Sequence, residues 1–134
     1  MIQKSLGTAL SCTTGGKTVT IGRIKSISEL KMDSEMIDTT TLDAAGGFRT
    51  YCQGARDAGE MTVEGYLDAD ETGQSTLRQL YSSGEAAPFT LSFPDGQTAA
   101  FTALVKTVWL GAAQVDGVVG FGAALRLSGG VTIS

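Results

Sequence analysis

No histidine occurs among these 134 residues. That removes the usual general base and the commonest transition-metal ligand, so Ser–His–Asp and Cys–His arrangements cannot be built. The two cysteines, Cys12 and Cys52, stand forty positions apart without a CxxC pair. Neither a zinc site nor a redox dithiol is suggested, and two free, reduced thiols are expected. Proline supplies 2 residues against 18 glycines, a balance that suits turns and closely packed strands rather than collagen or a stiff linker. No run approaches the 18 apolar residues of a spanning helix, and "MIQKSLGTAL" has no apolar signal-peptide centre. A basic stripe is missing too, so phosphate-backbone binding has no footprint.

The charge that is present is unevenly spread. The net charge is −4, yet from Glu29 to Glu71 eleven acids face three bases (Lys31, Arg49, Arg56), and the remainder carries seven bases against three acids. A subunit so divided can stack head to tail on copies of itself; acidic loops that merely keep the chain dissolved explain the charge equally well. Hydrophobic content of 42% with 18% charged residues is that of a globular chain. Its length is most simply one domain, residues 1–134, large enough to hide a core.

Most of the sequence reads as strand. "KTVTIGRIKSIS" is rich in β-branched residues and follows the turn "TTGGK". "ELKMDSEMI" sets Leu30, Met32 and Met36 against Lys31, Asp33 and Glu35, and "EMTVEGYLD" sets Met61, Val63 and Leu67 against Thr62, Glu64 and Tyr66. "APFTLSF" alternates in the same way, "PDGQ" turns, and "TAAFTALVKTVWLGAAQ" returns. Asp116-Gly117 signals a second hairpin before "VVGFGAALRLS". These last two strands are apolar on both faces, so they belong in a packed centre or against another subunit, and Trp109 is expected in the core. One helix is expected in "DADETGQSTLRQLYSSGE": Leu77, Leu80 and Tyr81 share a face, Asp68 and Glu71 form a capping-box-like start, and Gly84 stops it. The fold class is therefore mainly β, a small sandwich or barrel with one packed helix. Between Ile37 and Glu60 the reading is a long irregular polar segment.

Several motifs fail on inspection. "SCTTGGKT" has the end of a phosphate loop but Ser11 where the first glycine is needed, and a strand follows where a helix N-terminus is required. "GFGAAL" lacks the third glycine of a dinucleotide fingerprint and lies inside a strand. "DADETGQSTLRQ" begins like a calcium loop but ends on Gln79 instead of the bidentate glutamate. The carboxylate pairs Asp38 with Asp43 and Asp57 with Glu60 are better read as solvated loop charge than as acid–base partners. No enzyme and no cofactor or metal are expected.

The order of elements carries a resemblance. The chain runs through "IDTTTLDAAGGFRTYCQGARDAGEMTVEGYLD", the helix start "DADETGQSTL", the strand and turn "FTLSFPDGQTAAFTALV", and the ending "LRLSGGVTI". From about Val19 to Ile133 this resembles the major tail tube proteins of long-tailed bacteriophages. The resemblance implies a structural virion protein of the phage tail, made in the host bacterial cytoplasm. Its subunits would form stacked six-membered rings, with strands of all six closing a barrel around a channel through which DNA passes without specific binding. The loop from Thr39 to Ala58 would be mobile in the free subunit and order on the adjacent ring. Its contact residues would be Thr39, Thr40, Thr41, Asp43, Gly46, Gly47, Phe48, Arg49, Tyr51, Gly54, Arg56 and Asp57. Candidates for the channel lining are Lys31, Asp33, Glu35, Glu64 and Lys106, whose alternative is an outward, solvated face. Implied partners are the subunit itself, the tape measure protein, the tail-tip or baseplate proteins and the tail terminator, with no membrane. No C-terminal immunoglobulin-like domain is expected. Two other readings stand beside this one: the inner tube of a contractile injection or type VI secretion system, and a small β-barrel that binds a ligand.

Overall fold

A computed structural model describes residues 2–134 apart from Ala112, Gln114 and Asp116. Strands β1 (Ala9–Thr14) and β2 (Lys17–Ile21) form a hairpin over the "TTGG" turn, where Gly15 and Gly16 take positive φ. β3 (Ile24–Ile27) follows, then β4 (Asp33–Asp38), β5 (Tyr51–Asp57) and β6 (Glu60–Tyr66). The helix α1 (Thr72–Ser83) precedes β7 (Ala87–Ser92), β8 (Thr98–Leu110), β9 (Gly120–Leu127) and the short β10 (Thr132–Ile133).

The thirteen-residue β8 organises the body. Its first half pairs with β7, which leads through β1 to β2, while β10 runs along Ala99 and Ala100. From Ala103 onward it pairs with β9, which leads through β6 to β3. A bulge between Val105 and Thr107 lets the strand turn from one layer into the other. The two layers enclose one core. Leu10, Cys12, Phe89 and Leu91 come from the first layer, and Met61, Val63, Phe121, Ala123 and Leu125 from the second. Phe89 and Phe101, neighbours on β7 and β8, stack with their centroids 5.9 Å apart. Alternation is the cause: along β6, Met61 and Val63 point in while Glu60 and Glu64 point out.

α1 closes one side. Leu77 and Leu80 are buried as the spacing predicts, but Tyr81 is 54% exposed and lies outside the core. Gly84 is left-handed and its N–H donates to Leu80 O, the expected stop. The capping box does not form: Glu71 is the N-cap residue without a side-chain bond, and the Asp68 carboxylate instead accepts from Asp70 N–H and Arg23. Gly73 is needed where it is, since a Cβ there would meet the β2 backbone 2.6 Å from Ile21 Cα. Trp109 is half-buried rather than core. It sits on the outer side of the second layer, flat against Gly122, its partner across β8 and β9. Of the second hairpin signal, Asp116 lies outside the described residues; Gly111 N–H donates to Gly120 O where the two strands end.

A projecting arm as the candidate assembly site

Among the described strands, β4 and β5 pair only with each other, as a two-stranded sheet separate from the eight-stranded one. Two expectations need correction here. Tyr51–Asp57, read as the second half of an irregular loop, is a strand. And Glu29–Ile37, read as an amphipathic strand with Leu30, Met32 and Met36 on one face, yields β4 outside the core, with Met36 57% exposed and Met32, just before it, 53%. The reason is local. Asp33, Glu35, Asp38, Arg56 and Asp57 crowd both strands with charge, and a bulge between Ser34 and Met36 breaks the alternation a core strand needs. The pair projects as an arm.

At the outer end of the arm the polar residues bind one another. Thr39 N–H donates to Thr50 O, the Thr39 and Thr50 hydroxyls lie 3.1 Å apart, and Thr50 N–H donates to Thr40 Oγ1 at 2.9 Å. Asp38 accepts from Thr40 N–H and pairs with Arg49 at 3.0 Å, while the Thr41 hydroxyl donates to Asp43. The three threonines therefore knit the tip, and a single 3₁₀ turn at Ala45–Gly47 reverses it, with Gly46 and Gly47 at positive φ. Apolar side chains are left outside this network. Leu42 and Phe48 at the tip are 111% and 76% exposed, and Ile37 and Tyr51 are exposed further down. Ile37 lies across Gly54, where a Cβ would come within 2.9 Å of its Cδ1.

The root of the arm is fastened to the second layer. Arg126 on β9 donates to Asp57 at 2.6 Å, and Asp57 also accepts from Gly59 N–H at 2.9 Å. Gly59 takes φ +81, and its carbonyl receives Leu127 N–H. Beside it, Lys106 in the β8 bulge pairs with Glu60 at 2.6 Å.

Asp38, Asp43 and Asp57 on the arm are held below the ordinary carboxylate range, Asp38 by Thr40, Asp43 by Thr41 and Asp57 by Arg126. Each stays ionised at neutral pH, the opposite of what a general acid needs.

The sequence-predicted residues thus fall into groups. The twelve loop residues all lie on the arm. Asp33 and Glu35 are on it too, with Lys31 at its root, while Glu64 and Lys106 lie on the outer side of the second layer. Missed by sequence reasoning were the arm's apolar residues Ile37 and Leu42 and the fastening residue Arg126. Ile37 and Leu42 were legible as apolar positions in a polar segment; the Asp57–Arg126 pair spans 69 positions and left no local signal.

The sequence model of the lambda phage tail tube protein family matches residues 2–120. The chain belongs to this family. This tail tube protein shares its fold with solved tubes of several kinds. The tail of an empty gene transfer agent particle, refined with C6 symmetry, superposes with a TM-score of 0.81 at 20% identity, covering 99% of each chain. The SPP1 tail tube gives 0.74 at 12% identity, over 98% of this chain and 78% of that one. The sheath–tube complex of an extracellular contractile injection system gives 0.76 at 14%, over 99% and 91%. No curated sequence matches. As a tail tube protein the chain is a structural component of the phage tail, and its mainly β architecture with one helix is the one the sequence predicts.

Proposed function

We propose that this tail tube protein closes into six-membered rings that stack into a hollow tube, with the arm as the contact between rings. The observation that carries the reading is the arm itself. A lone two-stranded hairpin is marginal in water, and this one exposes Ile37, Leu42, Phe48 and Tyr51 with no body of its own to cover them. Its order is completed on a neighbour, where the ordering entropy is offset by burial of those side chains.

The second layer supports ring closure. Among the described strands, β3 pairs with β6 alone, and residues 104–110 of β8 pair with β9 alone, so the layer has two open edges. Four antiparallel strands alternate in direction. In any ring of same-way-up copies the β3 edge of one subunit then meets the β8 edge of the next antiparallel, and no edge is left exposed. The first layer and α1 would lie outside, and Glu64 and Lys106 would face the channel. Lys106 is neutralised by Glu60 and Arg126 by Asp57, which leaves Glu64 without an ion-pair partner among the described residues. Lys25 lies over the Tyr66 ring on the same face, so Glu64 and Lys25 would leave the lining near neutral, with little hold on phosphate as DNA slides. Asp33, Glu35 and Lys31 belong to the arm's contacts in this reading, not to the channel. The two ends of a finished tube would meet the tail-tip and terminator proteins, with the tape measure protein inside during assembly. Membership of a tail tube family supports a structural role over an enzymatic one.

Negative-stain microscopy of the purified protein tests the proposal: rings or tubes of constant diameter are expected, alone at high concentration or with tail-tip proteins. A protein that stays monomeric under every assembly condition overturns it.

A further inference from the structure

Beside β3 the core is open to solvent. Of the six half-buried apolar residues packed against it, Ile24, Ile27, Leu30 and Phe93 line a single cleft of about 800 Å³. Leu6 and Ile133, 90% and 56% exposed, complete its walls. The cleft lies beside the root of the arm. Leu30 and Met32 lead from one into the other. Apolar side chains flanking this hole leave the core incompletely covered in the free subunit.

We infer that this cleft receives the arm tip of a second copy, with Leu42 and Phe48 as the inserted side chains. The inference rests on the arm being an assembly element and names what it binds. A chain's own tip is out of reach. β4 carries it outward at about 3.3 Å per residue, so some ten residues from Met32 to Leu42 place the tip roughly 30 Å from its own cleft. Shape and polarity agree: the tip offers the two most exposed large apolar residues of the arm, and the cleft wall is mostly apolar. Charge does not oppose the contact. Of the bases in residues 1–28, Lys25 alone lines the cleft, and Arg23 is held by Asp68. The arm from Asp33 to Asp57 holds five acids against two arginines, and Asp43 stands beside Leu42 at the tip. Glu29, at the arm end of the cleft, is the one carboxylate on its lining. Plug and socket on one chain, an arm's length apart, make a heterologous contact that repeats without closing, as a stack of rings requires.

The test uses two proteins with one exposed cysteine each, built on a Cys52→Ser background with the buried Cys12 retained. Leu42→Cys marks the tip and Leu6→Cys the cleft. The two are mixed, assembled into tubes verified by microscopy, oxidised and run without reductant. A heterodimer from the mixture, absent when Leu42→Cys is mixed with the exposed helix variant Ser83→Cys, is the expected result. Tubes that form normally but give no Leu42–Leu6 link overturn the cleft as receiver while leaving the tube reading intact. If even wild-type protein never assembles, the tube reading and the inference fall together. A second measurement does not depend on oxidation: Leu42→Ser with Phe48→Ser should lower tube yield at least tenfold with the midpoint of thermal unfolding unchanged, and unaltered yield also overturns the inference.

Discussion

Gln74 is buried on α1 with all its polar atoms used. Its side chain donates to Gly22 O at 3.2 Å and Tyr66 O at 2.9 Å and accepts from Asp68 N–H at 3.1 Å. It ties the helix start to the β2–β3 turn and to the end of β6. Replacing it with leucine keeps the volume but orphans three backbone groups, each costly when buried, so Gln74→Leu should lower unfolding free energy by about 2–4 kcal/mol in urea titration. A loss below about 0.5 kcal/mol would mean that water replaces the amide. Gly65 is fixed differently: a Cβ there would meet the Arg23 carbonyl, lie 2.8 Å from Phe121 and crowd the Ile24 backbone. Gly65→Ala should cost about 1–3 kcal/mol by overpacking. Neither role was legible locally. "ETGQSTL" announces a helix start, and "VEGY" reads as a strand with a glycine, but what each side chain meets comes from chain segments far away in sequence.

At the scale of the element, the arm is independent of the core, and that can be measured. Replacing residues 40–49 by Asn-Gly shortens the hairpin without touching Ala58 or Leu30, so the domain should keep its unfolding midpoint and lose tube growth. Unfolding of that variant would show the segment to be core structure. The fastening at the root is sensitive to pH. Arg126 holds the Asp57 carboxyl below its ordinary range, with help from Gly59 N–H. A depressed carboxyl contributes its stabilisation above the pKa it has when released, near 4, and loses it as pH falls through the lower, bound value. The arm should therefore be equally fastened from pH 5 to 8 and loosen below about 4. NMR relaxation of arm amides checks this, and Asp57→Asn should show at pH 7 the mobility that the wild type reaches only in acid. Arm mobility unchanged in Asp57→Asn would mean that the backbone alone sets its direction. In the sequence, "GGFRTYCQGARD" reads as irregular because its glycines and charges mask a strand. No apolar alternation marks Tyr51–Asp57, for neither of its faces meets the core.

For the whole molecule, charge separation predicts how assembly responds to salt. If the acidic arm seeks the cationic N-terminal strands, tube growth measured by light scattering should slow roughly tenfold between about 0.05 and 0.5 M salt as screening sets in. Growth that quickens with salt would mark an interface governed by apolar burial alone. The channel reading makes a separate demand. Assembled Glu64→Lys tubes should retain DNA in a salt-dependent way where wild-type tubes do not, and equal retention by both would place Glu64 elsewhere.

The chain's composition and periodicity alone determined that it is mainly β with one helix, that histidine-based catalysis is excluded, and that its acids are concentrated between Glu29 and Glu71. Local patterns decide these matters, because strand alternation, helix caps and turn residues act within a few positions. The tertiary structure alone decided that Met36 and Ile37 leave the core, that Trp109 rests on Gly122 on the outer side of the second layer, and that Leu6, Ile27, Phe93 and Ile133 meet around one cleft. Those outcomes depend on pairings across tens of residues. Alternation says that a strand has two faces; only its neighbours in space settle which of them, if either, is buried.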